Sequence, residues 1–311
     1  MPELRVGDRQ WSVDSGSNLL DALNRNGVSV PYSCRAGSCH ACLVQCTQGL
    51  PSDSRPDALS AEQRQQGWRL ACQCQVIEDL QVHTFDPIAD GRPAVVEALD
   101  WLSDNVLRLR LVPQRPLRYS AGQHLVLWAG NVARPYSLAS LPGEDRFLEF
   151  HLDCRQPGEF SDAARRLQIG DALRLGELRG GALHYDADWH TRPLWLMAAG
   201  TGLGPLFGVL REALRQDHQG AIRVIHLAHD ADEHYLAKPL LAMATSRPNL
   251  SIELWTPTEL PAALAQLRLV SRQTLALLCG SPDNVDAFSR RLYLAGLPRN
   301  QLLADVFLPR G

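Results

Sequence analysis

Lysine is nearly absent from this sequence: Lys238 is the single lysine, and the other 30 of its 31 basic residues are arginine. An excess of either charge is missing too, because 34 acidic residues leave a formal net charge of only −3. A nucleic-acid-binding surface or a polybasic membrane patch is therefore not expected. A charged fraction of 21% beside a hydrophobic fraction of 45% excludes a disordered chain, and 311 residues suffice for two or three domains.

The sequence shows no targeting segment. Residues 1–5 lack the apolar core of a signal peptide. Residues 193–210 form an uncharged stretch of 18 residues, as long as a membrane span, but four glycines and two prolines within it favour a strand, a tight loop and a helix. The resulting expectation is a cytoplasmic protein in a reducing compartment, so its eight cysteines are predicted to be metal ligands or free thiols.

Six of the eight cysteines lie before residue 75. Cys34, Cys39 and Cys42 follow the spacing C-x4-C-x2-C, and 29 residues separate Cys42 from Cys72. This spacing is typical of a plant-type [2Fe–2S] cluster, whose loop must present several thiolates while its backbone N–H groups turn towards the sulfides. Gly37 within the loop permits the positive φ that such a turn needs. The sequence therefore predicts a [2Fe–2S] cluster bound by these four cysteines.

Two other metal sites compete for the same cysteines. A structural zinc site would use Cys39, Cys42, Cys72 and Cys74, although 29 residues is a long gap inside such a site. The order C-x2-C-x2-C-x3-C-P of a bacterial four-iron cluster is absent. With a two-iron cluster in place, Cys46 and Cys74 are predicted to be small buried hydrophobic residues.

The segments that flank the cysteines predict a compact unit of strands and one helix. Apolar residues alternate over 4–13 around a hairpin turn at 7–9, and Ser17 is a candidate N-cap for a helix that ends at Gly27. These elements agree with a ferredoxin-like β-grasp domain. His40, between two predicted ligands, is either a donor to a cluster sulfur, a residue that faces a partner, or an ordinary exposed loop residue.

Short β-strands are predicted throughout the middle of the chain. Apolar residues alternate with arginines at 106–111, and further strands are indicated at 124–128 and 147–152, with turn residues between them. Several short strands at such spacing predict a small barrel. Two short motifs in this region are Arg134-Pro135-Tyr136-Ser137 and Gly158-Glu159-Phe160-Ser161. Taken alone, Ser161 would also fit as the N-cap of a helix predicted at 162–167.

The last third of the chain predicts an α/β domain. Residues 194–199 form a continuous apolar run, as in a buried parallel strand, and further strands are predicted at 222–228, 250–255 and 274–278. Helical segments between them favour a parallel sheet with helices on both faces. The first strand leads into the loop Gly200-Thr201-Gly202-Leu203-Gly204-Pro205. Its bare backbone lets a pyrophosphate approach the N-terminus of the following helix.

Acidic residues after the second of these strands bear on the choice of nucleotide. Asp230, Asp232 and Glu233 follow the strand closely, and the next arginine is Arg247. A 2′-phosphate would meet like charge in this region, whereas a ribose hydroxyl would find acceptors. The sequence therefore predicts NADH rather than NADPH.

These motifs, in this order, resemble those of the ferredoxin–NADP reductase superfamily: the ferredoxin cysteines, R-x-Y-S, G-x-x-S, G-T-G-x-G-P and a Cys-Gly pair. The resemblance implies that Arg134 binds the FAD pyrophosphate, that Tyr136 packs on the flavin and that Ser137 lies near its reactive N5. It also implies that Cys279 lies near the nicotinamide and that Phe307 lies beside the flavin ring. The FAD-binding residues expected from it are Arg134, Pro135, Tyr136, Ser137, Gly158, Phe160, Ser161 and Phe307. The expected NAD-binding residues are Gly200, Thr201, Gly202, Gly204, Pro205, Asp230, Cys279 and Gly280.

The resemblance covers the whole chain and implies a multi-domain α+β fold. It divides the chain into a β-grasp [2Fe–2S] ferredoxin domain at 1–90, an antiparallel β-barrel FAD domain at 91–190 and an α/β parallel-sheet NAD domain at 191–311. The same arrangement occurs in single-chain reductase components of bacterial oxygenases. It implies that electrons pass from NADH to FAD, then to the cluster, and finally to a partner protein, the terminal oxygenase.

Two alternatives stay open on the sequence alone. The first is a reductase that serves a sugar-deoxygenating dehydratase, which carries the same motifs. The second is a flavin reductase with a zinc-stabilised N-terminal interaction module, which iron and sulfide content would separate from the others. No Ser/His/Asp triad or pair of acids is needed in any of these, because the redox chemistry belongs to the cofactors.

Overall fold

The structure, a computed structural model, describes residues 1–180 and 182–308. Residue 181, in the second predicted domain, and residues 309–311, at the end of the third, lie outside the described residues. The strands are β1 (Glu3–Val6), β2 (Arg9–Ser12), β3 (Ser17–Asn18), β4 (Leu43–Gln48), β5 (Ser52–Asp53), β6 (Trp68–Leu70), β7 (Cys74–Val76), β8 (Leu80–Thr84), β9 (Arg92–Trp101), β10 (Val106–Pro113), β11 (His124–Ala129), β12 (Val132–Ser137), β13 (Leu148–Asp153), β14 (Ala172–Arg179), β15 (Leu194–Ala199), β16 (Ile222–Leu227), β17 (Leu250–Trp255), β18 (Leu275–Gly280) and β19 (Leu302–Val306). The α-helices are α1 (Leu19–Arg25), α2 (Ala61–Gln65), α3 (Glu159–Ala164), α4 (Leu203–Arg215), α5 (Ala237–Thr245), α6 (Leu260–Gln266) and α7 (Pro282–Leu294).

The first unit is a mixed five-stranded sheet in the order β2-β1-β8-β4-β6, with α1 packed against it. Strands β1 and β2 form the predicted hairpin, and β1 pairs with β8 in parallel, which gives the predicted β-grasp arrangement. The predicted helix cap is wrong by one residue. Asn18, not Ser17, accepts the hydrogen bond from the Asp21 N–H, because α1 begins at Leu19, directly after Asn18.

The second unit is a six-stranded antiparallel sheet in the order β12-β11-β14-β9-β10-β13. A backbone hydrogen bond of 2.8 Å from the Ala139 N–H to the Glu149 oxygen joins the chain after β12 to β13 at the opposite edge. The sheet therefore curls towards a closed barrel, as predicted. Its interior is filled by fully buried side chains such as Leu109, Leu125 and Phe150.

The third unit is a parallel sheet in the order β17-β16-β15-β18-β19. In the central strand, Leu196 and Ala198 face the core formed with α4 and α5, whereas Met197 and Ala199 face the core formed with α6 and α7. Successive side chains of a strand point to opposite faces, so a strand covered on both sides reads as one apolar run. The predicted strands are confirmed, and β19 is an additional edge strand that the sequence did not indicate.

The uncharged stretch 193–210 contains β15, the glycine-rich loop and the first part of α4, as predicted. Within the described residues, no helix combines the length and the apolar character that crossing a membrane requires.

Candidate active site

The predicted cluster loop lies between α1 and β4 and turns sharply at several positions. Arg35 and His40 adopt positive φ angles of 48° and 56°, and Gly37 lies at 79°. The backbone N–H of Cys39 points at the Cys34 sulfur at 3.4 Å. The backbone therefore turns a donor towards sulfur, as a loop that wraps an iron–sulfur cluster requires.

The four predicted ligand cysteines form two thiol pairs. A hydrogen bond from Cys39 lowers the pKa of Cys34 to about 4, against the opposing effect of burial. A hydrogen bond from Cys42 lowers the pKa of Cys72 to about 7 in the same way. Among the described residues, no three or more His, Cys, Asp or Glu side chains gather closely enough to hold a single ion. Two pairs of thiols suit a cluster of two irons, each with two protein ligands.

Gln73 links the fourth predicted ligand to the loop of the first three. Its Nε2 donates to the Cys72 sulfur at 3.2 Å and to the Arg35 carbonyl oxygen at 2.8 Å. A Cβ at Gly37 would come within 3.2 Å of the Gln73 side chain, which is a tight contact, and the φ of 79° favours glycine there. The sequence analysis missed Gln73, whose one signal was its place next to Cys72.

The remaining cysteines lie in the hydrophobic cores. Cys46 and Cys74 are buried in the first unit, where burial raises the pKa of Cys46 to about 11. Cys154 is fully buried inside the barrel. Cys46 and Cys74 therefore pack as small hydrophobic residues, as predicted.

His40 is buried, and not an exposed loop residue. Its Nδ1 lies 3.6 Å from Oε2 of Glu177 in β14, so the ring faces the barrel. Burial opposes ionisation of Glu177, but His40 and Arg179 outweigh it and lower the pKa of this carboxyl. The cluster loop therefore contacts the second unit at the Glu177 carboxylate.

The first flavin motif forms the end of strand β12 at the rim of the barrel. Arg134, Pro135, Tyr136 and Ser137 all line one large cavity. The Tyr136 ring packs on Phe160 of α3 with the ring centroids 5.1 Å apart. The planar guanidinium of Arg134 offers donors in a fork that suits phosphate oxygens. This placement fits the predicted FAD-binding role, which stays a prediction.

The second flavin motif lies at the start of α3. Gly158 is the N-cap, so the interpretation of Ser161 as the cap is wrong. Ser161 lies inside the helix, where its hydroxyl donates to the carbonyl oxygens of Gln156 and Gly158 at 3.1 Å. The helix therefore starts before the predicted residues 162–167. Gly158, Phe160 and Ser161 line the same cavity as the first motif.

The glycine-rich loop between β15 and α4 is packed closely on both sides. Gly200 adopts a φ of 53°, which favours glycine. A Cβ at Gly202 would lie 2.3 Å from the carbonyl oxygen of Cys279, and one at Gly204 would lie 3.3 Å from Nδ1 of His151. The loop is thus held between β18 and the barrel. The loop residues that line the cavity are Gly200, Thr201, Gly204 and Pro205.

Cys279 and Gly280 end β18 at the expected edge of the sheet. The Cys279 side chain is fully buried in the core beneath α4, and burial raises its pKa. The residues that line the cavity here are the following Ser281 and Pro282. The structure therefore brings the Cys279 backbone against the glycine-rich loop. Its position near the nicotinamide stays a prediction.

The three acidic residues behind the NADH prediction occupy different places. Asp230 caps the turn after β16, with Oδ1 accepting from the N–H groups of Asp232 and Glu233 at 3.1 and 3.2 Å. Its side chain is 61% exposed, and the adjoining His229 lines the cavity. Glu233 is buried against the barrel, so it belongs to an interface between units and does not face a nucleotide.

His124, Asp305 and Phe307 all line the cavity where the three units face one another. Burial lowers the pKa of His124 despite the nearby Asp305, and burial raises the pKa of Asp305 despite His124. Ser38 of the cluster loop lines the same cavity. His124 was not predicted from the sequence, because a lone histidine in a strand carries no signal of its own.

A single cavity of about 1930 Å³ connects the three predicted sites. Its walls include Cys34 and Cys39 of the cluster loop, the flavin motif of β12 and the glycine-rich loop after β15. Pockets for one small molecule commonly measure about 300–1,000 Å³, so this cavity has room for two dinucleotides.

Three family models match the chain in the expected order. A 2Fe-2S iron-sulfur cluster binding domain matches residues 5–76, an oxidoreductase FAD-binding domain matches 94–183, and an oxidoreductase NAD-binding domain matches 196–289.

Curated relatives cover most of the chain. The reductase subunit of an aromatic O-demethylase from Amycolatopsis sp. is 34% identical over 249 residues, which are 74% of this chain and 73% of that protein. The ferredoxin–NAD(+) reductase component of an alkene monooxygenase system from Xanthobacter autotrophicus is 30% identical over 307 residues, 94% of this chain and 91% of that protein. The chain belongs to the ferredoxin–NAD(P)+ reductase family.

Two further proteins are similar to the reductase over almost its full length. The crystal structure of the Amycolatopsis cytochrome P450 reductase GcoB matches with a TM-score of 0.66 at 26% identity and covers 99% of both chains. The CDP-6-deoxy-L-threo-D-glycero-4-hexulose-3-dehydrase reductase of Yersinia pestis is 24% identical over 318 residues, 96% of this chain and 95% of that protein.

The family assignment confirms the three predicted cofactors. The reductase is an iron–sulfur flavoprotein with a [2Fe–2S] domain, an FAD-binding domain and an NAD-binding domain. The match to the iron–sulfur model favours the two-iron cluster over the zinc module. Electrons therefore pass from a nicotinamide nucleotide through FAD and the cluster to a partner.

Proposed function

We propose that the reductase oxidises NADH and delivers the electrons to the terminal oxygenase of a multicomponent mono- or dioxygenase. Support for the acceptor comes from the relatives, whose names place them in an aromatic O-demethylase and an alkene monooxygenase system. Support for NADH comes from Asp230, an exposed carboxylate beside the cavity-lining His229, which would repel a 2′-phosphate.

The observation that carries this proposal is the cavity shared by the three sites. FAD accepts two electrons together and releases them singly, and the cluster takes one at a time. In our proposal Arg134 binds the flavin pyrophosphate, the backbone at 200–205 binds the nucleotide, and the four cysteines hold the cluster. Cys34 and Cys39 line the cavity that the flavin motif also lines, so the cluster loop adjoins the flavin site.

We also propose domain boundaries near residues 90 and 190. The first falls between β8, which ends at Thr84, and β9, which begins at Arg92. The second falls between the 3-10 turn Ala187–Trp189 and β15. The ferredoxin core is separate from the other cores, which supports the first boundary.

An anaerobic titration of the purified holoprotein with NADH, followed by absorbance, tests the electron path. We expect the flavin bands and the broad iron–sulfur absorbance both to bleach. Bleaching of the flavin alone would contradict the path, and equal rates with NADPH would contradict the choice of NADH.

A pair of arginine variants tests the flavin site. Arg134→Ala is expected to purify with less FAD, because it removes the proposed pyrophosphate ligand. Arg108→Ala is the matched control, since Arg108 lies on the same barrel, is not among the cavity-lining residues and pairs with Asp100 at 2.8 Å. Equal FAD content in both variants would contradict the assigned role of Arg134.

A second acceptor class is favoured by the similarity to the Yersinia pestis dehydrase reductase. In this alternative the reductase serves a sugar-deoxygenating dehydratase. Offering an aromatic-ring oxygenase and such a dehydratase in turn to the NADH-reduced protein separates the two, because only the true acceptor reoxidises the cluster rapidly.

A further inference from the structure

Two histidines next to the nucleotide loop have no part in the roles described above. His226 in β16 is fully buried, and its Nε2 lies 3.1 Å from the carbonyl oxygen of Gly200. Its Nδ1 lies 3.2 Å from Nδ1 of His234, which follows the turn after β16. A polar ring in a core is costly unless its nitrogens find partners, and both nitrogens of His226 have one.

The direction of these hydrogen bonds follows from the carbonyl group. A carbonyl oxygen only accepts, so Nε2 of His226 carries the hydrogen and donates. Nδ1 of the neutral ring then accepts, so His234 donates from its own Nδ1. Burial, and next the neighbouring His234, lowers the pKa of His226 to about 3, which keeps the ring neutral near pH 7. By donating to Nδ1 of His226, His234 favours the tautomer of His226 in which Nε2 carries the hydrogen.

The carbonyl of Gly200 belongs to the peptide that also carries the Thr201 N–H. Gly200 has a φ of 53°, and a Cβ built there would meet nothing within 4 Å, so the backbone and not the space requires glycine. The Gly200 carbonyl also accepts from the Leu203 N–H in the turn that starts α4. In a planar trans peptide the C=O and N–H point in opposite directions. A carbonyl held against the buried His226 therefore directs the Thr201 N–H away from the core, and Thr201 lines the cavity.

We propose that His226 is a positioning residue for NADH. By holding the Gly200 carbonyl, it presents the Thr201 N–H to the nucleotide pyrophosphate, and His234 maintains the tautomer that this requires. Backbone N–H groups of such loops are the donors that bind a pyrophosphate. His226 acts through Gly200 and is not itself among the cavity-lining residues. The inference rests on the proposed function, because it takes 200–205 as the nucleotide loop.

The test compares His226→Gln with His226→Leu in the holoprotein. Glutamine can place an amide N–H near the position of Nε2, whereas leucine fills a similar volume without a donor. The probe is ADP-ribose, which carries the pyrophosphate without the nicotinamide, and calorimetry measures its Kd. Steady-state rates with NADH and ferricyanide give KM and kcat for the same samples.

Loss of the donor is expected to weaken binding rather than chemistry. His226→Leu should raise the Kd of ADP-ribose and the KM of NADH about tenfold, the equivalent of about 1.4 kcal/mol, with kcat changed less than about twofold. His226→Gln should stay within about threefold of the unsubstituted protein. Unchanged binding in His226→Leu, or equal losses in the two variants, would overturn the proposal, because either result would show that the donor is not what matters.

His234 provides an independent test if His226→Leu does not fold. His234→Leu removes the donor to Nδ1 and is expected to raise the Kd of ADP-ribose about threefold, whereas His234→Asn keeps an N–H and binds normally. Equal binding by both His234 variants would count against the proposal. Failure of the unsubstituted protein to bind ADP-ribose would contradict the proposed function, whereas normal binding that is insensitive to both histidines would contradict this inference alone.

Discussion

The two interfaces between domains of the reductase are built differently. Between the barrel and the NAD domain one hydrophobic core is continuous, with Leu141 and Leu183 of the barrel packed together with β15, β18 and α4. Between the ferredoxin domain and the barrel the contact is a small cluster that includes Cys39 and Trp128, with Phe85 stacked on Trp128 at 5.3 Å. The first interface makes one unit of two domains, while the second leaves the ferredoxin core separate.

Polar contacts follow the same division. Arg211 of α4 binds both carboxylate oxygens of Asp145, at 2.6 and 3.0 Å. The buried Glu233 accepts from the Ser103 hydroxyl at 3.3 Å and pairs with Arg155 at 3.2 Å. Charged side chains of the NAD domain therefore pair with charged side chains of the barrel across this interface.

Among the described residues, the polar contacts at the ferredoxin junction centre on one carboxylate. Glu177 of the barrel accepts from Nε2 of Gln63 at 2.6 Å and lies 3.6 Å from Nδ1 of His40. Arg179 pairs with the same carboxylate from its own strand. Glu177 is thus the carboxylate at which the cluster loop contacts the barrel.

The difference suits the two transfer steps. Hydride transfer needs reacting atoms about 3–3.5 Å apart, so the FAD and NAD domains must be held in one arrangement. A single electron passes between cofactors that do not touch, so the ferredoxin domain needs a less extensive interface. The more extensive interface thus lies at the step that requires the more precise arrangement of its reacting atoms.

The largest expected effect comes from removing the cluster. Cys72→Ala should abolish iron–sulfur absorbance and delivery of electrons to a protein acceptor, because it removes the fourth predicted ligand. NADH-dependent reduction of the flavin should continue, since the FAD and NAD domains share a core of their own. Absorbance spectra and ferricyanide reduction measure the two properties.

The matched control for this variant is Cys46→Ala, which changes a buried cysteine outside the predicted ligand set. It should keep the cluster. Loss of flavin reduction in a folded Cys72→Ala protein would contradict the independence of the two halves.

The next effect concerns stability at the continuous interface. Leu141→Ala should lower the free energy of unfolding by about 2–5 kcal/mol, because a fully buried side chain leaves a cavity. Urea unfolding followed by flavin fluorescence measures it. Phe85→Ala at the ferredoxin junction should leave the flavin-detected midpoint unchanged, and a shift as large as that of Leu141→Ala would show that the junctions are equivalent.

Acid should destabilise the FAD–NAD unit through His226. Its folded pKa of about 3 lies below the ordinary value of 6.5, so below pH 6.5 the unfolded chain binds a proton that the folded chain does not. The contribution of neutral His226 is present above pH 6.5 and is lost as the pH falls towards 3. Between pH 7.5 and 5 the protein should lose about 2 kcal/mol of stability relative to His226→Gln. Flavin-detected urea unfolding at both pH values checks this, and parallel losses in the two proteins would refute it.

The smallest effects compare single polar contacts at the two junctions. Glu233→Ala should lower the free energy of unfolding by on the order of 1 kcal/mol, because it leaves donors on the barrel without their acceptor. Gln63 lies at the rim of the ferredoxin junction, so Gln63→Ala should lower the free energy of unfolding by less than about 0.5 kcal/mol. Thermal unfolding measures both. A larger cost for Gln63→Ala than for Glu233→Ala would reverse the comparison.

Local patterns in the sequence were enough for most elements of the fold. The apolar run 194–199 and the alternation at 106–111 correctly predicted strands β15 and β10. The burial of each strand determines which of its side chains are apolar, so the pattern is visible in the sequence. The errors occurred where neighbouring residues of similar chemistry compete. Ser17 and Asn18 are both good caps, and the residue at which β3 gives way to α1 decides between them.

The sequence by itself determined those parts of the site that are formed by the backbone of a few consecutive residues. The C-x4-C-x2-C run and the glycine-rich loop are of this kind, since their spacing and glycines control how the chain turns. Only the tertiary structure decided which distant groups serve those loops: His226 meets Gly200 from 26 residues away, and Gln73 donates to the Arg35 carbonyl oxygen from 38 residues away. These contacts leave no local pattern, because a buried polar group needs its partner in space and not in the chain.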